Sequence, residues 1–244
     1  MPKKIKIHEM SFSGLYEYLM CPLKFRYSKI DQYVPEFTPV SLAFGSGIHN
    51  ALEAYYKAIQ NGKSPLATPI LINIVRNALE NPDIRFESDT KDDLIAKAGV
   101  MLEKAVAMPA GDIIGTEVPV EIDITEDFKV IGRIDLLTKE SGDVIITDFK
   151  TACKKPSEKD VDSNAQLTTY SNVYPDAKLR IRAITKAKSP DCIDYFTQRT
   201  DAQRERLRKT FVAVKDCIEA NSFYPCEGWQ CGNCQYQERC QKDF

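Results

Sequence analysis

Three apolar, β-branched segments follow one another without a helical stretch between them, and they constrain the fold of this chain more than any other feature. Residues 117–124 alternate polar and apolar side chains, and residues 130–137 and 144–150 are rich in valine, isoleucine and leucine. Turn-forming residues occupy 126–127 and 141–143. The pattern predicts three strands joined by tight turns, which form an antiparallel meander near the middle of the chain.

Helical periodicity flanks this meander, and 244 residues are enough for one large domain. A content of 43% hydrophobic and 28% charged residues excludes global disorder. We therefore expect an α/β fold of mixed α+β type in one domain, residues 1–244, with a central mixed sheet flanked by helices, a helical insertion at about 61–110 and a cysteine-rich C-terminal tail. The apolar spacing predicts helices at about 11–22, 41–59, 68–80, 90–107, 160–174 and 200–220, and further strands at 178–187 and 192–197.

The sequence predicts a soluble, cytoplasmic protein without a membrane partner. No apolar segment of signal-peptide type follows the N-terminus, and no stretch approaches the roughly 18 apolar residues of a membrane span. The 33 Lys and Arg residues nearly balance the 35 Asp and Glu residues, so the net charge gives no global argument for nucleic-acid binding. A local argument exists, because Lys178, Arg180 and Arg182 alternate on one predicted strand face that could track phosphate groups.

The most chemically informative residues lie on the meander. Asp135 is on the second predicted strand, and Asp148 and Lys150 share one face of the third, because side chains repeat every two residues. If the hairpin register places Asp135 beside Asp148, two carboxylates converge with one ammonium group. Such a pair suits Mg²⁺ or Mn²⁺, and the lysine can position a water molecule and stabilise charge in phosphodiester hydrolysis. The alternative is that Asp148 and Lys150 form a solvated pair on a half-buried strand.

Five short motifs occur in a fixed order along about residues 11–240. They are Tyr18-x-x-Cys21-Pro22-x-x-Phe25, Gly45-Ser46-Gly47-Ile48-His49, Gly132-Arg133-Ile134-Asp135, Asp148-Phe149-Lys150-Thr151 and Gln166-Leu167-Thr168-Thr169-Tyr170. The ordered set resembles the PD-(D/E)XK nucleases of the RecB-like branch, although Asp148 is not preceded by the Pro-Asp pair of the family's name. The resemblance implies a restriction-endonuclease-like core.

The resemblance also implies a role for each matching residue. His49, Asp135 and Asp148 would be metal ligands for Mg²⁺ or Mn²⁺, joined by the Phe149 carbonyl, and Lys150 would be the catalytic lysine. Two further residues, Gln166 and Tyr170, lie on one helical face and could touch the DNA backbone or the surroundings of the lysine; the alternatives are an exposed glutamine and a core tyrosine. One more carboxylate, Glu117, could join the site or be a strand-edge charge.

Four of the eight cysteines crowd into the C-terminal tail. Cys231, Cys234 and Cys240 form a C-x2-C-x5-C pattern, and a tetrahedral zinc or a cubane cluster needs a fourth thiolate. Chain proximity favours Cys226 as that ligand, whereas the resemblance to iron-sulfur members of the nuclease branch selects Cys21. The resemblance implies a 4Fe-4S cluster, with structural zinc as the alternative. Residues 222–244 together with Cys21 would then form a cluster-binding subdomain. The remaining cysteines, Cys153, Cys192 and Cys217, are expected to be buried small apolar residues.

Aromatic residues surround Cys21 in the sequence. Tyr16, Phe25, Tyr27 and Tyr33 could stack on unpaired bases, and core packing is the alternative for each of them. No element that would read base identity stands out, so any specificity is expected from the shape of the DNA channel.

The resemblance leads to a functional hypothesis of a metal-dependent deoxyribonuclease. It would be an exonuclease acting on single-stranded DNA or DNA ends in recombination, repair or phage DNA metabolism, stabilised by the 4Fe-4S cluster. Two alternatives are a CRISPR-associated nuclease that processes DNA for spacer acquisition and a non-catalytic DNA-binding subunit of the same fold. The expected partners are DNA and, depending on the setting, recombination or CRISPR adaptation proteins.

Overall fold

A computed structural model describes residues 5–244, which fold around a six-stranded mixed sheet. The strands are β1 (Glu9–Ser11), β2 (Thr38–Pro39), β3 (Ile84–Arg85), β4 (Asp112–Thr125), β5 (Phe128–Glu140), β6 (Asp143–Ala152), β7 (Lys178–Thr185) and β8 (Cys192–Thr197). The helices are α1 (Phe12–Met20), α2 (Pro22–Phe25), α3 (Val40–Gln60), α4 (Thr68–Ala78), α5 (Lys91–Ala107), α6 (Glu158–Asp162), α7 (Ala165–Tyr170), α8 (Asp201–Glu219) and α9 (Gln237–Asp243). A π-helical segment covers Arg26–Ile30, and a 3₁₀ helix covers Trp229–Asn233.

The predicted meander is confirmed, since β4, β5 and β6 pair in antiparallel fashion. The β5–β6 turn places Ser141 and Gly142 at φ values of 52° and 96°, the left-handed pair that matches the twist of a two-residue hairpin. β7 then runs parallel to β6 and antiparallel to β8, while β1 runs parallel to β5. The mixed α/β fold with a central mixed sheet, expected of a restriction-endonuclease-like core, is therefore confirmed.

Strands β5 and β6 separate part of the way along their length. Their pairing runs from Glu140 opposite Asp143 to Leu136 opposite Thr147. Beyond Thr147, β6 continues alongside β7. On β5, the next neighbour on that side is β1, which pairs with residues 129–131, so residues 132–135 lie between the two pairings. This separation, which we call the strand fork, leaves Asp135 of β5 and Phe149 of β6 without a ladder partner across the gap between these two strands, while Phe149 still pairs with Arg182 of β7.

The helices cover both faces of the sheet. α3, α4 and α5 bury one face, where Leu52, Leu71 and Leu102 pack in the same core as the sheet residues Leu136 and Phe149. The segment at about 61–110 thus contributes two helices to the main core. α6 and α7 cover the other face through Val161, Leu167 and Tyr170, which pack on Ile134, Ile146 and Leu179. A third core joins α1 and α8 to β1, β4 and β5.

The prediction of one continuous helix at 160–174 is wrong, because the structure has two short helices, α6 and α7, in this region. Asn164 breaks the helix, since its side chain accepts a hydrogen bond from the Leu167 N–H and caps α7. The buried Arg199 guanidinium fixes this break by donating to the carbonyls of Val161 and Asn164, at 2.9 and 3.1 Å. The break sets the position of α7 over the strand fork.

The predicted phosphate-tracking face on β7 is also wrong. Arg180 and Arg182 are buried, and Lys178 forms an ion pair with Asp143 at 2.6 Å. Arg182 donates two hydrogen bonds to Asp194, both at 2.8 Å, from the neighbouring strand β8. The two arginines therefore form an internal network and Lys178 alone stays at the surface, a difference that the period of two could not reveal.

Among residues 5–244, no helix has both the length and the apolar content needed to cross a membrane.

Candidate active site

Two buried carboxylates meet at the strand fork. Asp135 of β5 accepts a hydrogen bond from the Phe149 N–H of β6 at 2.7 Å, which the missing ladder pairing leaves available. Asp148 is fully buried beside it. Burial raises the pKa of Asp135 well above its usual range, and the nearby Asp148 charge raises it further. Two carboxylates in this position repel one another, and a bound cation would relieve that repulsion.

Lys150 extends from the same strand face as Asp148. Its Nζ donates to Asp148 Oδ1 at 3.1 Å and lies 2.8 Å from Oδ2, although Oδ2 accepts no hydrogen bond of good geometry. The ammonium also donates to Gln166 Oε1 at 2.6 Å, and Gln166 Nε2 donates to the Tyr170 hydroxyl at 2.9 Å. Lys150, Gln166 and Tyr170 thus form one hydrogen-bonded chain from β6 to α7.

Gly132 allows Tyr170 to reach this position. A Cβ at Gly132 would lie 3.1 Å from Tyr170 Cε1 and 3.3 Å from Val120 Cγ2, so a side chain there would push against the ring. Burial raises the pKa of Tyr170, and the carboxylates of Asp148 and Asp135 add to this, so the hydroxyl stays protonated at neutral pH. The glycine of the predicted motif is therefore a packing requirement of α7 against β5.

His49 approaches the fork from the opposite face, on α3. Its Nδ1 lies 3.5 Å from Asp135 Oδ2, and its ring meets the Phe149 ring edge to face at 6.1 Å. Burial lowers the pKa of His49, and Lys150 acts in the same direction, while Asp148 and the backbone of Phe149 oppose them. The imidazole is consequently neutral at pH 7, which is the state that can bind a metal ion.

Tyr56 is a neighbour of the fork that the sequence patterns did not reveal. Its ring stacks on Phe149 with centroids 5.8 Å apart and planes 8° apart. The Tyr56 hydroxyl accepts a hydrogen bond from Arg182 Nη1 at 3.0 Å. Tyr56 lies seven residues after His49, two turns along α3. This spacing places both residues on one side of the helix and could have identified Tyr56 as a neighbour of the fork. The buried Arg182, which is paired with the partly buried Asp194, therefore holds Tyr56 against the face of Phe149 that lies toward α3.

Glu117, Glu53 and Arg133 form the outer edge of the site. Glu117 falls opposite Asp135, between the pairs Thr116–Leu136 and Val118–Ile134, with an unusual φ of 49°. Burial raises the pKa of Glu117, and Glu53 of α3 raises it further. Arg133 is exposed on β5 two residues from Asp135, and within residues 5–244 it forms no ion pair. Sequence reasoning missed Glu53, although it lies one helical turn after His49.

The donor set at the fork suits a hard divalent cation, although the side chains are not arranged around one. Within the described part of the chain, no group of three or more His, Cys, Asp or Glu side chains stands in an arrangement that could hold a metal ion. The buried Asp148 Oδ2, which accepts no hydrogen bond, is the atom with unused acceptor capacity. Carboxylate and imidazole groups at His49, Asp135 and Asp148 fit Mg²⁺ or Mn²⁺ in chemistry, provided that Lys150 moves away from Asp148.

The cysteines expected at a second metal site converge from both ends of the chain. Cys21, Cys231, Cys234 and Cys240 line a cavity of about 970 Å³, which we call the cysteine cavity, and Cys226 lines it too. All are free thiols. Of the three other cysteines, Cys192 is buried as expected, whereas Cys153 and Cys217 are exposed, so their predicted burial is wrong. Burial raises the pKa of Cys226, Cys234 and Cys240, and neighbouring thiols raise it further. A hydrogen bond from the Leu23 N–H to the Tyr224 carbonyl, 3.1 Å long, joins the two chain ends beside the cavity.

A known protein family matches this chain along most of its length. The sequence profile of the PD-(D/E)XK nuclease superfamily matches residues 9–241, nearly the whole chain. The chain therefore belongs to that superfamily, whose members typically use Mg²⁺ or Mn²⁺ to cleave DNA. No curated protein sequence matches the chain.

Two solved structures share the fold. One, described as a "putative exonuclease" from Eubacterium rectale, has a TM-score of 0.55 and 13% identity, and the alignment covers 97% of this chain and 88% of that one. The other, the protein SSO0001, has a TM-score of 0.52 and 16% identity over 98% of this chain and 89% of that one. At these identities the similarity shows the fold alone.

Proposed function

We propose that this chain is a metal-dependent deoxyribonuclease of the RecB-like branch that removes nucleotides from single-stranded DNA or DNA ends. The observation that carries the proposal is the placement of Lys150 between Asp148 and Gln166, at a fork that also holds Asp135. A lysine beside two buried carboxylates has the composition required for metal-assisted phosphodiester hydrolysis. A non-catalytic subunit would have no need for this hydrogen-bonded arrangement.

His49, Asp135, Asp148 and the Phe149 carbonyl would hold one Mg²⁺ or Mn²⁺. When bound, such an ion polarises the scissile phosphate and lowers the pKa of a bound water molecule. The hydrogen bond from the Phe149 N–H fixes the orientation of Asp135, so one carboxylate oxygen of this residue is already held in place. The neutral imidazole of His49 fits as a nitrogen ligand on the α3 side.

Lys150 is the proposed catalytic residue that contacts the reacting atoms. Its ammonium donates hydrogen bonds that can orient the attacking water and stabilise negative charge on the phosphorus-bound oxygens. Gln166 would be the residue that positions it, because the 2.6 Å hydrogen bond holds the ammonium between Gln166 and Asp148. Tyr170 in turn fixes the Gln166 amide through its hydroxyl.

Arg133 is proposed to bind the phosphate next to the scissile one. It lies on the same strand as Asp135 at a separation of two residues, so its backbone is about 6–7 Å further along β5. Arg133 is close enough to the site to act on Glu117: burial raises the pKa of Glu117, and the Arg133 charge opposes this effect. An exposed guanidinium in this place is well suited to bidentate binding of a phosphodiester.

Exonuclease action on single strands is the form of the activity that we propose, in recombination, repair or phage DNA metabolism. The Eubacterium rectale protein that shares the fold is described as a "putative exonuclease", which supports this choice. A narrow fork between two strands, approached by α3 from one face and α7 from the other, admits a single phosphodiester chain more readily than a duplex.

The cysteine cavity is proposed to hold a 4Fe-4S cluster on Cys21, Cys231, Cys234 and Cys240. Its support is the convergence of these residues on one cavity and the affinity of thiolates for iron-sulfur clusters. Ligation would close nearly the whole chain into a loop, so residues 222–244 and Cys21 would form a cluster-binding subdomain that secures both ends. Cys226 remains outside the ligand set, and structural zinc is the competing occupant.

The proposal is tested with 5′- and 3′-end-labelled single strands and a circular single strand, each with Mg²⁺ or Mn²⁺ and with EDTA. We expect metal-dependent release of mononucleotides or short products from linear DNA, with the circle left intact. Cleavage of the circle would show an endonuclease. Binding of DNA without cleavage under every metal condition would overturn the proposal in favour of a non-catalytic subunit.

A further inference from the structure

Three large apolar side chains lie exposed around the cysteine cavity. Trp229 of the 3₁₀ helix is 83% exposed, Leu42 of α3 is 56% exposed and Tyr16 of α1 is 54% exposed, and all three line the cavity. A single exposed apolar residue is ordinary on a protein surface, but three from separate elements around one opening mark a binding surface. We call this set the aromatic rim.

The cavity lining near the rim combines amide groups with charged side chains, namely Lys24 and Lys29 and the carboxylates of Glu17 and Glu227, of which Glu17 lies 4.0 Å from Lys24. The cavity wall carries several amides, of which Gln230, Asn233 and Gln237 come from the same C-terminal segment as Trp229. Lys29 is exposed there, and within the described residues it forms no ion pair. Aromatic faces, amide groups and an available cation form the combination that binds the bases and the backbone of an unpaired nucleic-acid strand.

Helix α3 connects the rim to the strand fork. Leu42 and His49 are seven residues apart, so they lie two turns apart on one side of the helix, about 10 Å along its axis. Gly45 and Ser46 occupy the turn between them and are small and at least partly exposed. Leu42, Gly45, Ser46 and His49 therefore follow one side of α3 from the rim toward the fork, with no bulky side chain between Leu42 and His49 on that side and with Thr151 of β6 against Gly45.

We infer that the aromatic rim holds the bases of the same unpaired strand whose phosphate enters the fork, with Trp229 and Tyr16 as stacking platforms. This inference rests on the proposed nuclease function. Stacking on an aromatic face is tolerant of sequence, since every base has such a face, which fits a nuclease without a base-reading element. Duplex DNA hides its base faces, so the rim selects single-stranded substrates.

The experiment uses Trp229 as its own probe, because it is the only tryptophan of the chain. The full-length protein is titrated in EDTA, where hydrolysis is suppressed, with oligo-dT, with an abasic strand of equal length and with a blunt duplex. We expect oligo-dT to quench the tryptophan fluorescence and the abasic strand to bind with little quenching. Anisotropy of a labelled oligo-dT provides affinities for variants that lack the tryptophan.

Variants separate stacking from general surface effects. We expect Trp229→Ala and Tyr16→Ala each to weaken oligo-dT binding about tenfold while leaving the affinity for the abasic strand unchanged, because one base-stacking contact is lost. Phe196→Ala is the matched control, since this β8 residue is 55% exposed and lies outside the cavity. The Phe196→Ala variant should bind oligo-dT with the same affinity as the unmodified protein.

Three results would overturn the inference. Equal quenching by the abasic strand and oligo-dT would assign the signal to backbone binding. If no DNA quenched the fluorescence and Trp229→Ala bound oligo-dT as tightly as the unmodified protein, the rim would not bind bases and would be assigned to a protein partner instead. Tighter binding of the duplex than of oligo-dT would contradict strand selection. Failure of the nuclease function is distinguishable from these outcomes, because it appears as absent cleavage and leaves the binding measurements in EDTA interpretable.

Discussion

The strand fork and the cysteine cavity both gather candidate metal ligands, but they are built in opposite ways. The fork lies on the central strands, where Asp135 and Lys150 already form hydrogen bonds of 2.7 and 2.6 Å with Phe149 and Gln166. The cavity is lined by partly buried cysteines from the two ends of the chain. Its thiols make few and weak hydrogen bonds: Cys231 donates to the Cys226 carbonyl over a long 3.8 Å, and burial raises the pKa of Cys234 while a backbone hydrogen bond at Tyr236 opposes it.

This contrast indicates which site depends on its metal for structure. The sheet fixes the fork, so removal of Mg²⁺ or Mn²⁺ should stop catalysis and leave the fold intact. The thiols are fixed by no comparable network, so removal of a cluster should release the chain ends and lower stability.

Loss of the Lys150 ammonium should have the largest effect. We expect Lys150→Ala to reduce the cleavage rate about 10³-fold, because one charge-stabilising donor is removed from the reacting phosphate. Lys155→Ala is the matched control, since Lys155 forms a comparable 2.8 Å pair with Asp191 on the surface. Single-turnover cleavage of end-labelled DNA measures both. A wild-type rate in Lys150→Ala would refute the assigned role, and unchanged far-UV circular dichroism would confirm that the variant folds.

Loss of the cluster should affect stability more than chemistry. We expect an anaerobic preparation to be brown, with absorbance near about 400 nm, and to lose the colour in Cys21→Ala and Cys234→Ala. The melting temperature should fall by about 5–10 °C in these variants. Cys226→Ala, a cavity cysteine, and Cys153→Ala, an exposed one, should retain both.

Other outcomes would change this assignment. A colourless protein with one zinc per chain would replace the iron-sulfur cluster by zinc. Loss of colour in Cys226→Ala but not in Cys21→Ala would move the fourth ligand to Cys226. A metal-free protein with an unchanged melting temperature would contradict the stabilising role of the cavity.

Tyr56 should influence metal binding without touching the metal. We expect Tyr56→Leu to raise the Mn²⁺ concentration for half-maximal activity about tenfold, because the stacked support of Phe149 is lost. Tyr56→Phe keeps the stack and should restore most of the affinity. Tyr55→Leu removes a neighbouring ring of the same helix and should leave the Mn²⁺ requirement unchanged. A shift in kcat alone in Tyr56→Leu, with the Mn²⁺ requirement unchanged, would contradict this positioning role.

Arg133 should give the smallest effect. We expect Arg133→Ala to raise KM several-fold with little change in kcat, and to reduce the salt dependence of single-strand binding by about one phosphate contact. Arg206→Ala, at another exposed arginine on α8, should change neither quantity. A salt dependence identical to that of the wild type would remove Arg133 from the DNA-binding surface.

The sequence predicted the fold well because the dominant signals were local. Period-two strands and the turn at Ser141-Gly142 determined the meander, and three- to four-residue spacing located α3, α5 and α8. The division of 160–174 was missed because it depends on Asn164 capping and on Arg199, which is distant in sequence. The charges on β7 were misassigned because burial depends on helices that cover the strand, and those contacts are not local.

The candidate site was predictable in its members but not in its geometry. The motifs identified His49, Asp135, Asp148, Lys150, Gln166 and Tyr170, and the structure brings all of them to the strand fork. The early end of the β5–β6 ladder, the stacking of Tyr56 and the approach of Glu53 depend on tertiary packing. Their ligand and catalytic roles stay predictions that the variants above test.

Direct binding of Mn²⁺ tests the central claim, that the fork is the metal site of a nuclease. The loss of the free Mn²⁺ electron paramagnetic resonance signal counts bound ions during titration of the protein. We predict one site per chain, which is lost in Asp148→Asn and Asp135→Asn and retained in Lys150→Ala. Binding of full strength and stoichiometry in Asp148→Asn would contradict it.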